Sequence, residues 1–194
     1  MADDRLTYAL SVLAGDPCIQ IGPAMQLACR SITVTEICAA ESERERSAGA
    51  SLSTWLCAEA LFFTLIKADG QTLVFSHANR VLYHATPQAQ LAAACPAGAG
   101  ILCQFTVDTL PGECAARLLA FDILHTPEAD PTARGESLRA LEACLPSPLC
   151  LAQWVGPLRY LTAPFVAGLP HPVAGVITLT PDPLLVCAGP LFAA

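Results

Sequence analysis

The chain has 194 residues, enough for one domain with a sizeable core, and 54% of them are hydrophobic against 14% charged. A net charge of −7 excludes a global basic footprint for nucleic acid, so any RNA contact must be local. Prolines number 16 and are spread through the sequence, which argues against long helices over most of it. Residues 1–16 read as a short amphipathic helix with Leu6, Leu10 and Leu13 on one face. The acidic start Met1-Ala2-Asp3-Asp4-Arg5 precedes no long apolar stretch, so a signal peptide is not expected. The uncharged run from Tyr160 to Pro181 carries Pro164, Pro170, Pro172 and Pro181 with Gly168 and Gly175, poor material for a membrane helix. Of the 10 cysteines none forms a Cys-x-x-Cys pair, and several (Cys57, Cys103, Cys150, Cys187) lie in apolar surroundings. Reduced core thiols are therefore expected rather than disulfides or a zinc site, and the histidines show no metal-ligand spacing.

Ile19 to Arg30 reads Ile-Gln-Ile-Gly-Pro-Ala-Met-Gln-Leu-Ala-Cys-Arg. Glu41 to Arg46 is charge-dense and reads as a solvated helix end or loop. From Leu61 an apolar run ends in Lys67 and then breaks at Asp69-Gly70, a buried strand closed by a turn dipeptide. Lys67 then falls at the rim of a sheet, where partial burial favours the uncharged amine, and an uncharged amine is a nucleophile. Gln71–Ser76 is a second strand, Asn79-Arg80 a turn, and Val81–His84 a third strand. Gly100–Asp108 and Arg117–Leu124 are further strands. Leu149 to Leu161 reads as a strand and a turn with Trp154 buried. After Ala143 the only formal charges are Arg159 and Asp182.

Lys67-Ala68-Asp69-Gly70 resembles motif I of the covalent nucleotidyltransferases, the mRNA capping guanylyltransferases and ATP-dependent polynucleotide ligases. Ile21, Pro23, Met25, Leu27 and Arg30 resemble the entry segment ahead of motif I in capping enzymes, with the Pro-Gly order inverted. Gly100–Asp108 falls where motif III would lie, with Gln104 in the place of its glutamate and Leu102 in that of its aspartate. Arg117-Leu118-Leu119-Ala120-Phe121-Asp122-Ile123-Leu124 resembles motif IIIa, followed by the Arg-x-x-x-Leu-x-x-Leu helix from Arg134. Leu169 to Pro181 resembles motif IV, with Gly175, Val176, Ile177, Thr180 and Pro181 keeping its frame and Ala174 in place of the acid.

The resemblance spans about Ile19 to Phe192. It implies one nucleotidyltransferase-like domain over 1–194: an N-terminal helix (1–16) and a motif-bearing core (17–194). The implied fold is α+β, mostly antiparallel sheets with flanking helices, two small sheets meeting at a nucleotide pocket. The implied activity is mRNA guanylyltransferase. Lys67 attacks the α-phosphorus of GTP, pyrophosphate leaves, and the 5′-diphosphate end of RNA takes the GMP. Asp69, Gly70, Arg80, Gln104, Phe121, Asp122 and Gly175 are the implied nucleotide-binding residues, Phe121 by stacking on the purine. Mg²⁺ or Mn²⁺ is the implied metal.

Departures from the family pattern open alternatives. Thr72 stands where motif I has arginine, Gln104 and Ala174 replace carboxylates, and neither the motif V lysines nor the oligonucleotide-binding domain follows. An impaired pseudoenzyme serving as a nucleotide-binding scaffold, an ATP-dependent ligase-like adenylyltransferase, or a chain whose missing domain comes from a second subunit are the alternatives. Asp69, Asp108 or Asp122 are the carboxylates that would have to reach the phosphates. The family implies an intracellular protein, nuclear if cellular and at the replication site if viral, with no membrane partner.

Overall fold

The computed structural model describes residues 2–20, 29–46, 53–58, 61–124, 131–145, 147–153, 158–179 and 184–188. The architecture is α+β, with a seven-stranded and a four-stranded sheet. Helix α1 (Ala2–Leu13) leads into β1 (Ala14–Gln20), and β2 (Cys29–Ser31) into α2 (Val34–Arg46). Then come β3 (Ser53–Cys57), β4 (Phe62–Ala68), β5 (Gln71–Ser76) and β6 (Val81–Ala85). The long hairpin β7 (Gly100–Leu110) and β8 (Glu113–Ile123) precedes α3 (Pro131–Ala140), β9 (Leu149–Leu151), α4 (Ala163–Ala167), β10 (Gly175–Leu179) and β11 (Leu184–Ala188). The larger sheet runs β1-β6-β5-β4-β7-β8-β9, and the smaller β2-β11-β10-β3. Every pairing is antiparallel except β8 with β9 and β11 with β2.

Strand β4 is central, flanked by β5 and β7, and Phe62 to Leu65 are all buried. A strand covered on both faces reads as a continuous apolar run, which is how it is written. Its hairpin to β5 closes with Asp69 at φ 48° and Gly70 at φ 75°. Positive φ at both central positions marks a two-residue turn whose twist matches the strands, and Asp-Gly is favoured there.

The N-terminal helix stops at Leu13 rather than at 16. Gly15 and Pro17 end it, and the chain turns into β1, which pairs β6 with register shifts on either side of Pro17. An edge strand tolerates a residue with no N–H to donate. The charge-dense Glu41–Arg46 belongs to α2 and is not wholly solvated. Glu41 is buried and both its carboxylate oxygens accept the Leu158 N–H, at 3.1 and 2.9 Å. The start of α2 is a capping box: Thr33 Oγ1 accepts Glu36 N–H at 3.3 Å while a Glu36 oxygen accepts Thr33 N–H at 2.8 Å.

The main core lies between the sheets and beneath α1. It joins Trp55, Ile177 and Leu179 of the smaller sheet to Phe62, Phe63, Leu65, Leu102 and Phe121 of the larger, with Ala9 and Leu13 from α1. A second cluster on the outer side of the smaller sheet unites Ile37, Leu56, Leu158 and Val176. Cys57, Cys95 and Cys103 are buried and Cys18 and Cys114 exposed, none of them in a disulfide. Among the described residues no helix is long and apolar enough to cross a membrane.

Candidate functional site

Lys67 is the last residue but one of β4, half-buried, as its position at the sheet rim led one to expect. Its ammonium is not turned to solvent. Nζ donates to the main-chain oxygens of Ala92 at 2.7 Å, Ala93 at 3.0 Å and Cys95 at 2.8 Å. A lysine ammonium has three N–H donors and no acceptor, so these contacts use all of them. Lys67 N–H also donates to Ala99 O at 3.0 Å, and Lys67 O accepts Gly98 N–H at 2.8 Å. Thr72, paired with Lys67, accepts Leu91 N–H on Oγ1 at 2.8 Å. The segment 91–99 is thus fastened to the end of the β4–β5 hairpin largely through one residue.

Directly paired residues in a sheet share a face and successive residues alternate. Leu65 pairs Ile101 and Phe63 pairs Cys103, which puts Lys67 on their face. Phe62 pairs Gln104, Thr64 pairs Leu102, and Leu102 pairs Asp122, all on the opposite face. Phe121 is the extra residue of a bulge, since the register steps from Leu102↔Asp122 to Cys103↔Ala120. Its ring meets that of Phe62 edge-on, centroids 5.8 Å apart, so it too stands away from Lys67. Helix α1 lies on the lysine's face, where Tyr8 meets Phe105 edge-on at 5.8 Å.

On the opposite face, each implied binding residue has protein partners. Gln104 is fully buried: Oε1 accepts Ala58 N–H at 2.8 Å, and Nε2 donates to Leu56 O at 2.8 Å. These bonds tie the larger sheet to the end of β3. A glutamate here would meet Ala58 N–H but set a second oxygen against Leu56 O, so the amide is the group that fits. Gly175 pairs Cys57, the residue between those two, and is brought to the same junction. Phe121 is fully buried. Asp122 accepts Ile123 N–H at 2.8 Å and the Arg134 Nε–H at 3.0 Å, both residues being buried. Burial pushes its carboxyl up to about 6, with Arg134 and the Ile123 N–H opposing.

Three implied residues stand elsewhere. Asp69 and Gly70 form the exposed hairpin turn next to Lys67. Arg80 has φ 59° in the turn at the other end of β5, about 20 Å away along the strand. Ile21, Pro23, Met25, Leu27, Trp154, Thr180 and Pro181 lie outside the described residues. So Gln104, Phe121, Asp122 and Gly175 gather where the sheets meet, while Lys67 and its turn belong to the other face, and Arg80 to the far end.

Sequence reasoning did not pair the remaining charged groups. Asp108 is held between Arg117 Nε at 3.0 Å and His171 Nδ1 at 2.9 Å, beside a Thr109 N–H to Pro170 O bond of 2.7 Å. Together these pin the segment after α4 to β7. Two polar atoms at the sheet junction have no partner among the described residues: Trp55 Nε1 and Thr106 Oγ1, both buried. Thr106 lies two along from Gln104 on the same face, and Trp55 precedes Leu56, whose carbonyl Gln104 binds.

Asp108 and Asp122 are committed to Arg117, His171 and Arg134. Among the described residues no group of His, Cys, Asp and Glu converges as ligands. No protein-family model matches the chain, and no curated protein sequence matches it.

Proposed function

We propose that this chain is a guanylyltransferase-like scaffold that binds a nucleotide without forming a lysine–nucleotide bond. The observation that carries the reading is the ammonium of Lys67, whose donors are taken by Ala92, Ala93 and Cys95 carbonyls on the face away from Gln104 and Phe121. Attack on phosphorus needs a nitrogen lone pair aimed at the phosphate, and a bound ammonium presents none. The binding half of the reading is supported by Trp55 Nε1 and Thr106 Oγ1. Buried polar atoms without partners are rare in folded proteins, and a polar ligand is one explanation of such a pair.

Incubation with α-labelled GTP, and separately ATP, with Mg²⁺ or Mn²⁺, followed by denaturation, tests the first half. No label on the folded protein is expected. Acid-labile, base-stable label would instead mean a lysine phosphoramidate and restore the capping reading. Equilibrium titration of GTP and ATP against tryptophan fluorescence tests the second half. We expect saturable binding that Trp55→Phe weakens; a flat titration would sink the ligand assignment.

The second reading is the active guanylyltransferase, favoured by the placement of Lys67 at a strand end just before the Asp69-Gly70 turn. It requires segment 91–99 to release the ammonium before attack. RNA and a second subunit supplying a closing domain are the partners that reading brings.

A further inference from the structure

Segment 91–99 reads Leu-Ala-Ala-Ala-Cys-Pro-Ala-Gly-Ala and carries no charged side chain, yet it surrounds a cation. Among the described residues no carboxylate is ion-paired with Lys67, so main-chain dipoles alone hold the charge. The turn that presents them is closed by its own bonds, Cys95 N–H to Ala92 O at 3.0 Å and Ala99 N–H to Pro96 O at 3.1 Å. Gly98, at φ 79°, bends the chain back so that its N–H reaches Lys67 O. Carbonyl oxygens converging on one charge, without a counter-ion, are how protein backbones coordinate potassium and ammonium ions.

We propose that the carbonyls of Ala92, Ala93 and Cys95 form a monovalent-cation cage that Lys67 fills from within the chain, and that the emptied cage takes a free ammonium or potassium ion. The inference rests on the reading of Lys67 as a structural cation. The charge at the end of β4 does the work of a bound ion: it cancels repulsion among three carbonyl dipoles and fixes the loop. Removing the side chain leaves the oxygens facing one another, and a free cation of similar size relieves them. Cys95 reports on the closed state, since the residue is buried there, 5% exposed.

The experiment uses the full chain as wild type, Lys67→Ala and Lys67→Met. Thermal unfolding and maleimide labelling of Cys95, mapped by mass spectrometry, are followed in potassium, ammonium or choline chloride at equal ionic strength. In choline, Lys67→Ala should unfold about 5–10 °C lower than wild type. Its Cys95 should label at least tenfold faster. Potassium or ammonium should return most of the lost midpoint and slow the labelling, and wild type should respond to none of the salts. Lys67→Met keeps the apolar stem without the charge and should match Lys67→Ala in choline.

A Lys67→Ala midpoint and Cys95 labelling rate that are the same in potassium, ammonium and choline would overturn the cage. A Lys67→Met protein as stable and as closed as wild type would overturn it too, because the carbonyls would then need no cation. If Lys67→Ala is insoluble in every salt, Lys67→Met alone decides. Covalent GMP or AMP on Lys67 in the labelling assay sinks the structural-lysine reading itself, whereas failed rescue with no label sinks only the cage.

Discussion

At the scale of single residues, Gln104 is the side chain on which the sheet junction depends most. Its amide answers a buried N–H and a buried C=O on either side of Cys57. Replacing it with leucine strands both groups, and each stranded group costs about 1–3 kcal/mol. We therefore expect Gln104→Leu to lose about 2–6 kcal/mol in urea unfolding. Gln104→Glu should also lose stability, because a carboxylate cannot donate to Leu56 O. A Gln104→Glu protein as stable as wild type would remove the junction role and favour the carboxylate of the motif III resemblance. Phe121→Ala should cost about 3–5 kcal/mol through the cavity it leaves. If it weakens GTP binding at unchanged stability, Phe121 stacks on the base rather than filling the core. The sequence marks both residues as important but not their roles. A bulge of one residue and the alternation of side chains decide which face Phe121 and Lys67 occupy, and neither is written in the run of apolar letters.

At the scale of elements, the β4–β5 hairpin was legible almost to the residue. An apolar run, Asp69-Gly70 and a second run specify strand, two-residue turn and strand with little competition. Gly70 has nothing within 4 Å of where a Cβ would stand, so Gly70→Ala meets no clash. Its cost is conformational alone, and we expect about 1–2 kcal/mol by chemical denaturation. A neutral substitution would mean that the turn does not hold positive φ in solution. Elements with weaker signals were not legible. Ser53–Cys57 carries no alternation or turn punctuation that announces a strand, yet β3 is the edge through which Gln104 joins the sheets. The charges of Glu41–Arg46 suggest solvent, but Glu41 is buried because Leu158 N–H, far along the chain, needs an acceptor. Long-range partners of this kind leave no local trace. Arg134 and Asp122 likewise read as parts of separate motifs, and only the folding of α3 against β8 brings them together.

At the scale of the whole molecule, half-buried His77 and buried Asp122 shift with opposite consequences. His77 donates or accepts at Nε2 with Thr64 Oγ1 at 2.8 Å, and its Nδ1 is buried with no partner among the described residues. Burial lowers its pKa from 6.5 to about 4. A histidine held neutral in the folded state adds stability that is complete above 6.5 and is lost as pH falls toward 4. Asp122 runs the other way, with its carboxyl raised from 3.8 to about 6. Its contribution is complete below 3.8 and is lost as pH rises through about 6. Each shift spans roughly two pH units, or about 3 kcal/mol at about 1.4 kcal/mol per unit. Between pH 4 and 6.5 the two slopes oppose, so the urea midpoint of the wild type should change little across that window. His77→Gln removes one slope and should leave a protein that grows more stable as pH falls from 6.5 to 4. Asp122→Asn removes the other and should lose stability over the same interval, on top of a uniform loss from leaving Arg134 unpaired in the core. Variants with parallel pH profiles would show that neither group carries its charge change across folding. The expected cancellation depends on the assembled sheets, since His77 follows β5 and Asp122 lies near the end of β8, far apart in the sequence.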